Sequence, residues 1–235
     1  MPENKHNKVE NNKEEVIDYF LLGNPLSKAR SRVSYQARKK MFHHFTTLTN
    51  PKHTDLILDV GVTPDCSLQE SNYFEKLYPY PSNITMCSIE DASNLEKIFA
   101  GTKFVRLDGG AFPFDDKQFD ILFCSAVLEH VGNNEAQGFF IRECLRVAKC
   151  IYLTTPNKHF PVEFHTILPL IHLLPQPIHQ RLLRMLGMDF WAKTENLNLL
   201  SKRTLSELIP PGYEAQIHVN RLLGIVSNLI LYVHH

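Results

Sequence analysis

The sequence predicts an α/β protein built on a doubly wound, mostly parallel sheet. Three observations predict it. Short apolar runs alternate with helix-period stretches between residues 56 and 156, the order that βαβ units require. The run Leu56-Ile57-Leu58-Asp59-Val60-Gly61 has the apolar character of a strand covered on both faces, and it ends on an acid and a glycine. Three successive predicted strands finish in acids, Asp59, Glu90 and Asp108. A parallel sheet brings such ends to one rim, where open α/β sheets bind ligands.

Composition narrows the class. The chain has 235 residues and 43% hydrophobic content, enough for one α/β domain with an added segment. Formal net charge is zero, so nothing draws the molecule as a whole to nucleic acid. Cysteines 66, 87, 124, 144 and 150 are odd in number and form no C-x-x-C, which suits a reducing compartment. Residues 1–15 are polar and rich in Asn, Lys and Glu. They read as a disordered tail without a secretory signal. No apolar stretch reaches the roughly 20 residues of a spanning helix, so the expected location is the cytoplasm.

Residues 16–23 read as a short docking helix closed by Gly23, and residues 27–48 as a second helix. The latter carries Lys28, Arg30, Arg32, Arg38, Lys39 and Lys40, read as a solvated face in preference to a basic patch. After the first strand, a helix through Tyr73, Phe74 and Leu77 is stopped by Pro79 and Pro81. Further strands are expected at 84–89, 103–107, 119–124 and 150–155. A helix capped by Asn133 or Asn134 carries Phe140, Cys144 and Val147 on one face. Residues 157–200 hold four prolines and the single Trp191, and read as helical pieces inserted as a lid or substrate wall. Ser201 caps a helix through Ile209, and 215–223 with 227–233 form a final antiparallel pair. Residues 16–235 thus constitute one domain.

The acids suggest a ligand. An acid ending the second strand suits both ribose hydroxyls, and one followed by small residues after the third leaves room for a flat base beside it. The motifs sharpen this. Ile89-Glu90-Asp91-Ala92-Ser93, the run from Asp108-Gly109-Gly110 through Pro113-Phe114 to Phe119-Asp120, and Ser125-Ala126-Val127-Leu128-Glu129-His130-Val131 follow Leu56–Gly61 in order. Together they resemble the class I S-adenosylmethionine-dependent methyltransferases, type 11, over about residues 50–156. The resemblance implies a seven-stranded sheet with its last strand antiparallel. It implies S-adenosylmethionine as cofactor, with Asp59, Gly61, Thr63, Glu90, Asp91, Asp108, Gly109 and Ser125 as cofactor-binding positions. The family's Gly-x-Gly loop is replaced here by Gly61-Val62-Thr63-Pro64, with Thr63 and Ser67 on an altered path.

Methyl transfer from a sulfonium demands positioning, exclusion of water and, for a hydroxyl acceptor, a base. Glu163 and His165 lie two residues apart after the fifth strand, so an extended segment points both to one side. His165 is the candidate base, Glu163 its orienting acid and His130 a second candidate. Despite twelve histidines, no metal-ligand spacing is present, and no metal is expected. The reading is a methyltransferase acting on a small-molecule or lipid- or sugar-linked acceptor. The alternative is a non-catalytic binding or scaffold protein on the same fold. A nicotinamide dehydrogenase fits less well, since G-x-G-x-x-G is absent and Glu90 lies 29 residues beyond Gly61.

Overall fold

The computed structural model describes residues 25–234. The expected tail at 1–15 and helix at 16–23 lie outside them. Helix α1 (Pro25–Thr49) is followed by β1 (Ile57–Val60), α2 (Tyr73–Leu77), β2 (Ile84–Ser88), α3 (Leu95–Ile98), β3 (Lys103–Arg106), β4 (Phe119–Ser125), α4 (Asn134–Val147), β5 (Ala148–Pro156), α5 (Gln176–Met185), α6 (Lys202–Glu207), β6 (Ala215–Leu222) and β7 (Ile225–His234). The seven strands form one sheet in the order β3-β2-β1-β4-β5-β7-β6. Strands β1 to β5 pair in parallel, and β7 runs antiparallel to both β5 and β6. This is the doubly wound sheet with an antiparallel last strand that the sequence predicts.

Side-chain alternation divides the core. Leu58 and Val60 of β1 face one layer with Phe140, Ile141 and Cys144 of α4 and Leu205 of α6. Ile57 faces the other, with Phe45 of α1, Tyr73 and Phe74 of α2 and Leu95 of α3. There, Phe123 stacks on Phe74 at 4.3 Å between ring centres, and Phe45 meets Phe74, Phe123 and Tyr152 edge-on. Tyr152 of β5 donates its hydroxyl hydrogen bond to the Met41 carbonyl, tying α1 to the middle of the sheet. Asn133 caps α4 by accepting from the Ala136 amide. Ser201 and Thr204 make a reciprocal capping box on α6. All five cysteines are free and four are buried, behaving as small apolar residues. Among the described residues, no helix is long and apolar enough to cross a membrane.

Residues 157–200 carry helical pieces after β5, as expected, with loops between them. Their only α-helix is α5, with a single 3-10 turn at Ile171–Leu173. Pro161 and Pro169 remove amide donors in the loops before α5, whereas Pro175 is its N-cap and Pro177 stands in its first turn, where the missing amide has no intrahelical partner to lose. The stem is closed where Asn157 bridges Leu200 and the Lys158 amide donates to the Leu200 carbonyl.

Candidate active site

The rim beyond β1, β2 and β3 does not gather the three acids as a set. Glu90 and Asp108 are exposed on it. Asp59 is only 6% exposed and is turned toward Glu75 of α2. Burial, followed by the nearby Glu75 charge, pushes the Asp59 carboxyl well above its ordinary range. Burial likewise raises Glu75, whose carboxyl faces that of Asp59 in a side-chain hydrogen bond that a proton between them supplies. The folded chain therefore holds protons here that the unfolded chain releases. Stability should fall as pH climbs above about 4, where the unfolded acids ionise. Asp59→Asn is expected to flatten that dependence and to raise stability at pH 8 by roughly 1 kcal/mol, the low end for relieving a buried polar group. Thermal melts of both proteins at pH 5 and pH 8 measure it; parallel shifts would refute the shared-proton account.

The other rim residues have defined places. Asp91 and Asp108 are held in tight turns, accepting from the amides of Ser93 and Gly110. Gly109 sits at φ 88° with open space where a Cβ would stand, and Ile89 beside Glu90 is 64% exposed. Gly61 has φ 99°, and a Cβ there would lie 2.0 Å from Val127 Cγ2, so only glycine lets residues 125–127 pack against β1. Thr63 has both backbone groups engaged by one side chain: its amide donates to Asn72 Oδ1, and its carbonyl accepts from Asn72 Nδ2. Ser67 is tied to Asp65 through its amide and hydroxyl. The loop that replaces Gly-x-Gly is thus stapled by its own side chains.

Beyond β4, β5 and β7 lies an open cavity of about 720 Å³. Arg38 and Met41 of α1, Ser125 at the end of β4, Glu129 after it, and His165 and Trp191 of the insert are among its walls. Rim and cavity adjoin along residues 125–127, since Val127 rests on Gly61 while Ser125 and Ala126 line the cavity. Ser125 is fixed there by the hydroxyls of Tyr73 at 3.1 Å and Thr154 at 3.0 Å. Arg38 donates to the Glu70 carbonyl and lies 5.5 Å from the centre of the Tyr73 ring. One member of the basic helix is therefore a wall of the site, while Lys39 and Lys40 are exposed.

Glu163 and His165 are brought together. Glu163 is 3% exposed and accepts from the His165 amide and His165 Nδ1, and from the Thr166 amide and hydroxyl, all at 2.6–2.8 Å. Burial pushes its carboxyl up, but the His165 hydrogen bond and charge with both amides outweigh it and bring the pKa to about 2. The loop is strained: Ile167 and Leu170 take φ 59° and 63° without being glycine. His130 also reaches this place, its ring 4.7 Å from that of His165, with Nδ1 held 2.6 Å from the Asn196 carbonyl. Trp191 stands 4.9 Å from the His165 ring. Sequence reasoning missed Glu75, Arg38 and Glu129 as parts of the site. Of these, Glu129 stood beside His130 in the segment after β4, and Arg38 stood in the basic run of residues 27–48 that reads as a solvated face.

Residues 65–150 match a protein family described as a methyltransferase domain. The fold is that of S-adenosylmethionine-dependent methyltransferases, and the resemblance to the class I, type 11 group holds. Among solved structures, the chain is similar to magnesium protoporphyrin IX methyltransferase from Synechocystis PCC 6803, solved with bound SAH. Identity there is 13%, covering 97% of this chain and 96% of that one, with a TM-score of 0.58. A methyltransferase from Aquifex aeolicus is 14% identical over 94% of this chain and 96% of its own, with a TM-score of 0.53. One from Methanosarcina mazei is 16% identical over 78% and 94%, also with a TM-score of 0.53. Comparison with curated proteins gives no match. The family match supports S-adenosylmethionine as the cofactor. The rim fits its nucleoside: exposed carboxylates end β2 and β3, the apolar Ile89 is bare, and the space over Gly109 is open.

Proposed function

We propose that this protein is a methyltransferase that takes S-adenosylmethionine on the rim of β1–β3 and an acceptor with an apolar part in the adjoining cavity. The observation that carries this is His165 in the cavity wall, held from behind by the buried Glu163, with Ser125 at the end of β4 in the same wall. Bound S-adenosylmethionine would supply a methyl group on a sulfonium. Glu90 and Asp108 would hold the ribose and the base, with Asp91, Gly109, Gly61 and Thr63 shaping the bed beside them. Ser125 stands at the junction of the two sites, and Asp59 supports the strand from within. Glu163 fixes the His165 ring, and His165 accepts the proton that an acceptor hydroxyl gives up, with His130 packed against it. The acceptor is a small molecule, lipid- or sugar-linked. The apolar side chains of Leu186, Met188, Phe190 and Trp191 in the cavity wall support an apolar portion.

Calorimetry with S-adenosylhomocysteine should show saturable binding, weakened at least tenfold by Glu90→Ala. Absence of binding at millimolar ligand would remove the proposal. His165→Ala should retain that binding and lose on the order of 100-fold or more in turnover, the usual worth of a positioned base. A wild-type rate in His165→Ala would end its assignment. The stapling of Thr63 by Asn72 favours a second reading, a binding protein on this fold that has lost the cofactor. Failure to bind S-adenosylhomocysteine, together with a stable partner in a pull-down, is its signature.

A further inference from the structure

We infer that Glu129, His130 and His165 form a binding site for a divalent transition-metal ion, of the class that includes zinc, opening onto the cavity. The sequence shows no metal spacing because the ligands come from two segments more than thirty residues apart. The fold closes that gap. Each of the three side chains offers one ligand atom, and these atoms all lie within 4.8 Å of one another. Two imidazoles with one carboxylate are a donor set suited to a borderline ion with positions left open.

Two features indicate a cation here. The first is Glu129, which is 0% exposed. Its Oε2 accepts from the Thr155 hydroxyl, whereas Oε1 has no hydrogen-bond partner. Burying a carboxylate oxygen without a compensating partner is costly. His130 stands beside it, with its Nε2 3.9 Å from Oε1, beyond hydrogen-bond reach. A bound cation would compensate that oxygen. The second is the support behind the rings. His130 Nδ1 faces the Asn196 carbonyl, and His165 Nδ1 faces the Glu163 carboxylate, each at 2.6 Å. Both acceptors can only take a proton, so both Nδ1 atoms carry one, and the other nitrogen of each ring is the atom that can meet an ion. Metal-binding histidines are oriented in this way, by a carbonyl or carboxylate behind the ring.

Glu129 and His165 both line the cavity, so the open positions of the ion face the acceptor. An acceptor oxygen bound there would lose its proton to water near neutral pH, because the ion's charge stabilises the anion. His165 would then serve as a ligand and not as the base. This use of the ion rests on the methyltransferase reading above; its binding does not.

The test uses the full chain, stripped with a chelator and titrated with zinc(II) by calorimetry, with metal content measured after gel filtration. One tightly held zinc per chain is expected. Glu129→Gln, His130→Ala and His165→Ala should each weaken it at least 100-fold with circular dichroism unchanged, and cobalt(II) should give a visible d–d band that these variants lose. His43→Asn, exposed and away from the cavity, controls for casual binding by surface histidines. Substoichiometric zinc, or a tight site that Glu129→Gln and His130→Ala leave intact, overturns the proposal. S-adenosylhomocysteine is titrated into the stripped protein in parallel. Binding there without a zinc site would sink the metal alone, and a zinc site without that binding would sink the methyltransferase reading alone.

Discussion

Phe45→Ala is expected to lower the unfolding free energy by about 3–5 kcal/mol, the usual cost of emptying a buried phenylalanine site. Phe45 is fully buried, and its ring meets three others, from α2, β4 and β5, at 5.3–5.4 Å between centres. Such edge-on pairs add to the area term. The hole would lie beneath α1, between that helix and the sheet. Because Arg38 and Met41 on the same helix wall the cavity, the variant should also lose acceptor binding more than S-adenosylhomocysteine binding. Urea titration followed by circular dichroism measures the first effect. A loss under 1 kcal/mol would mean that α1 is not docked as described.

Arg146→Met should cost about 1–3 kcal/mol, the range for leaving buried acceptors without their donor, because Arg146 itself is only half-buried. Arg146 donates to both Glu143 oxygens, to the carbonyls of Phe112 and Phe114, and to Asp116. Glu143 in turn accepts from the Phe112 amide. Without the guanidinium, a buried carboxylate and two carbonyls lose their donors. The contact with Asp116, whose side chain is mostly exposed, adds little. The Arg146 hydrogen bonds hold the Glu143 carboxyl below its ordinary 4.5, against the effect of burial. That stabilisation is present above the ordinary value and is lost as pH falls, so wild type and variant should converge in acid. The double variant Arg146→Met with Glu143→Leu should recover part of the loss. If the single variant is as stable as wild type at pH 7, the staple carries no weight. The same staple holds the run after β3, so the variant should also weaken S-adenosylhomocysteine binding through Asp108.

Much of this molecule was legible from the order of residues. The apolar runs at 57–60, 84–88 and 119–125 are strands because nothing else buries them, and Asn133 and Ser201 cap helices through local hydrogen bonds. The pair Glu163 and His165 was legible because two-residue spacing is a local relation. Asp59 was read as a rim residue since it ends its strand. The alternation of β1 instead turns it inward, onto an acid from a helix sixteen positions later, which no local pattern reveals. The insert reads as helical pieces, and it holds the helix α5 and a 3-10 turn among loops.

By itself, then, the sequence determined what nearest neighbours decide: strand and helix periodicity, caps, turns and the acids at strand ends, all set within a few residues by backbone geometry and sterics. Only the tertiary structure decided which distant groups share a space. The coupling of Asp59 to Glu75, the docking of α1 over the aromatic layer and the meeting of Glu129 and His130 with His165 depend on how layers stack. Those contacts follow from burial summed over the whole chain, and spacing along it carries no record of them.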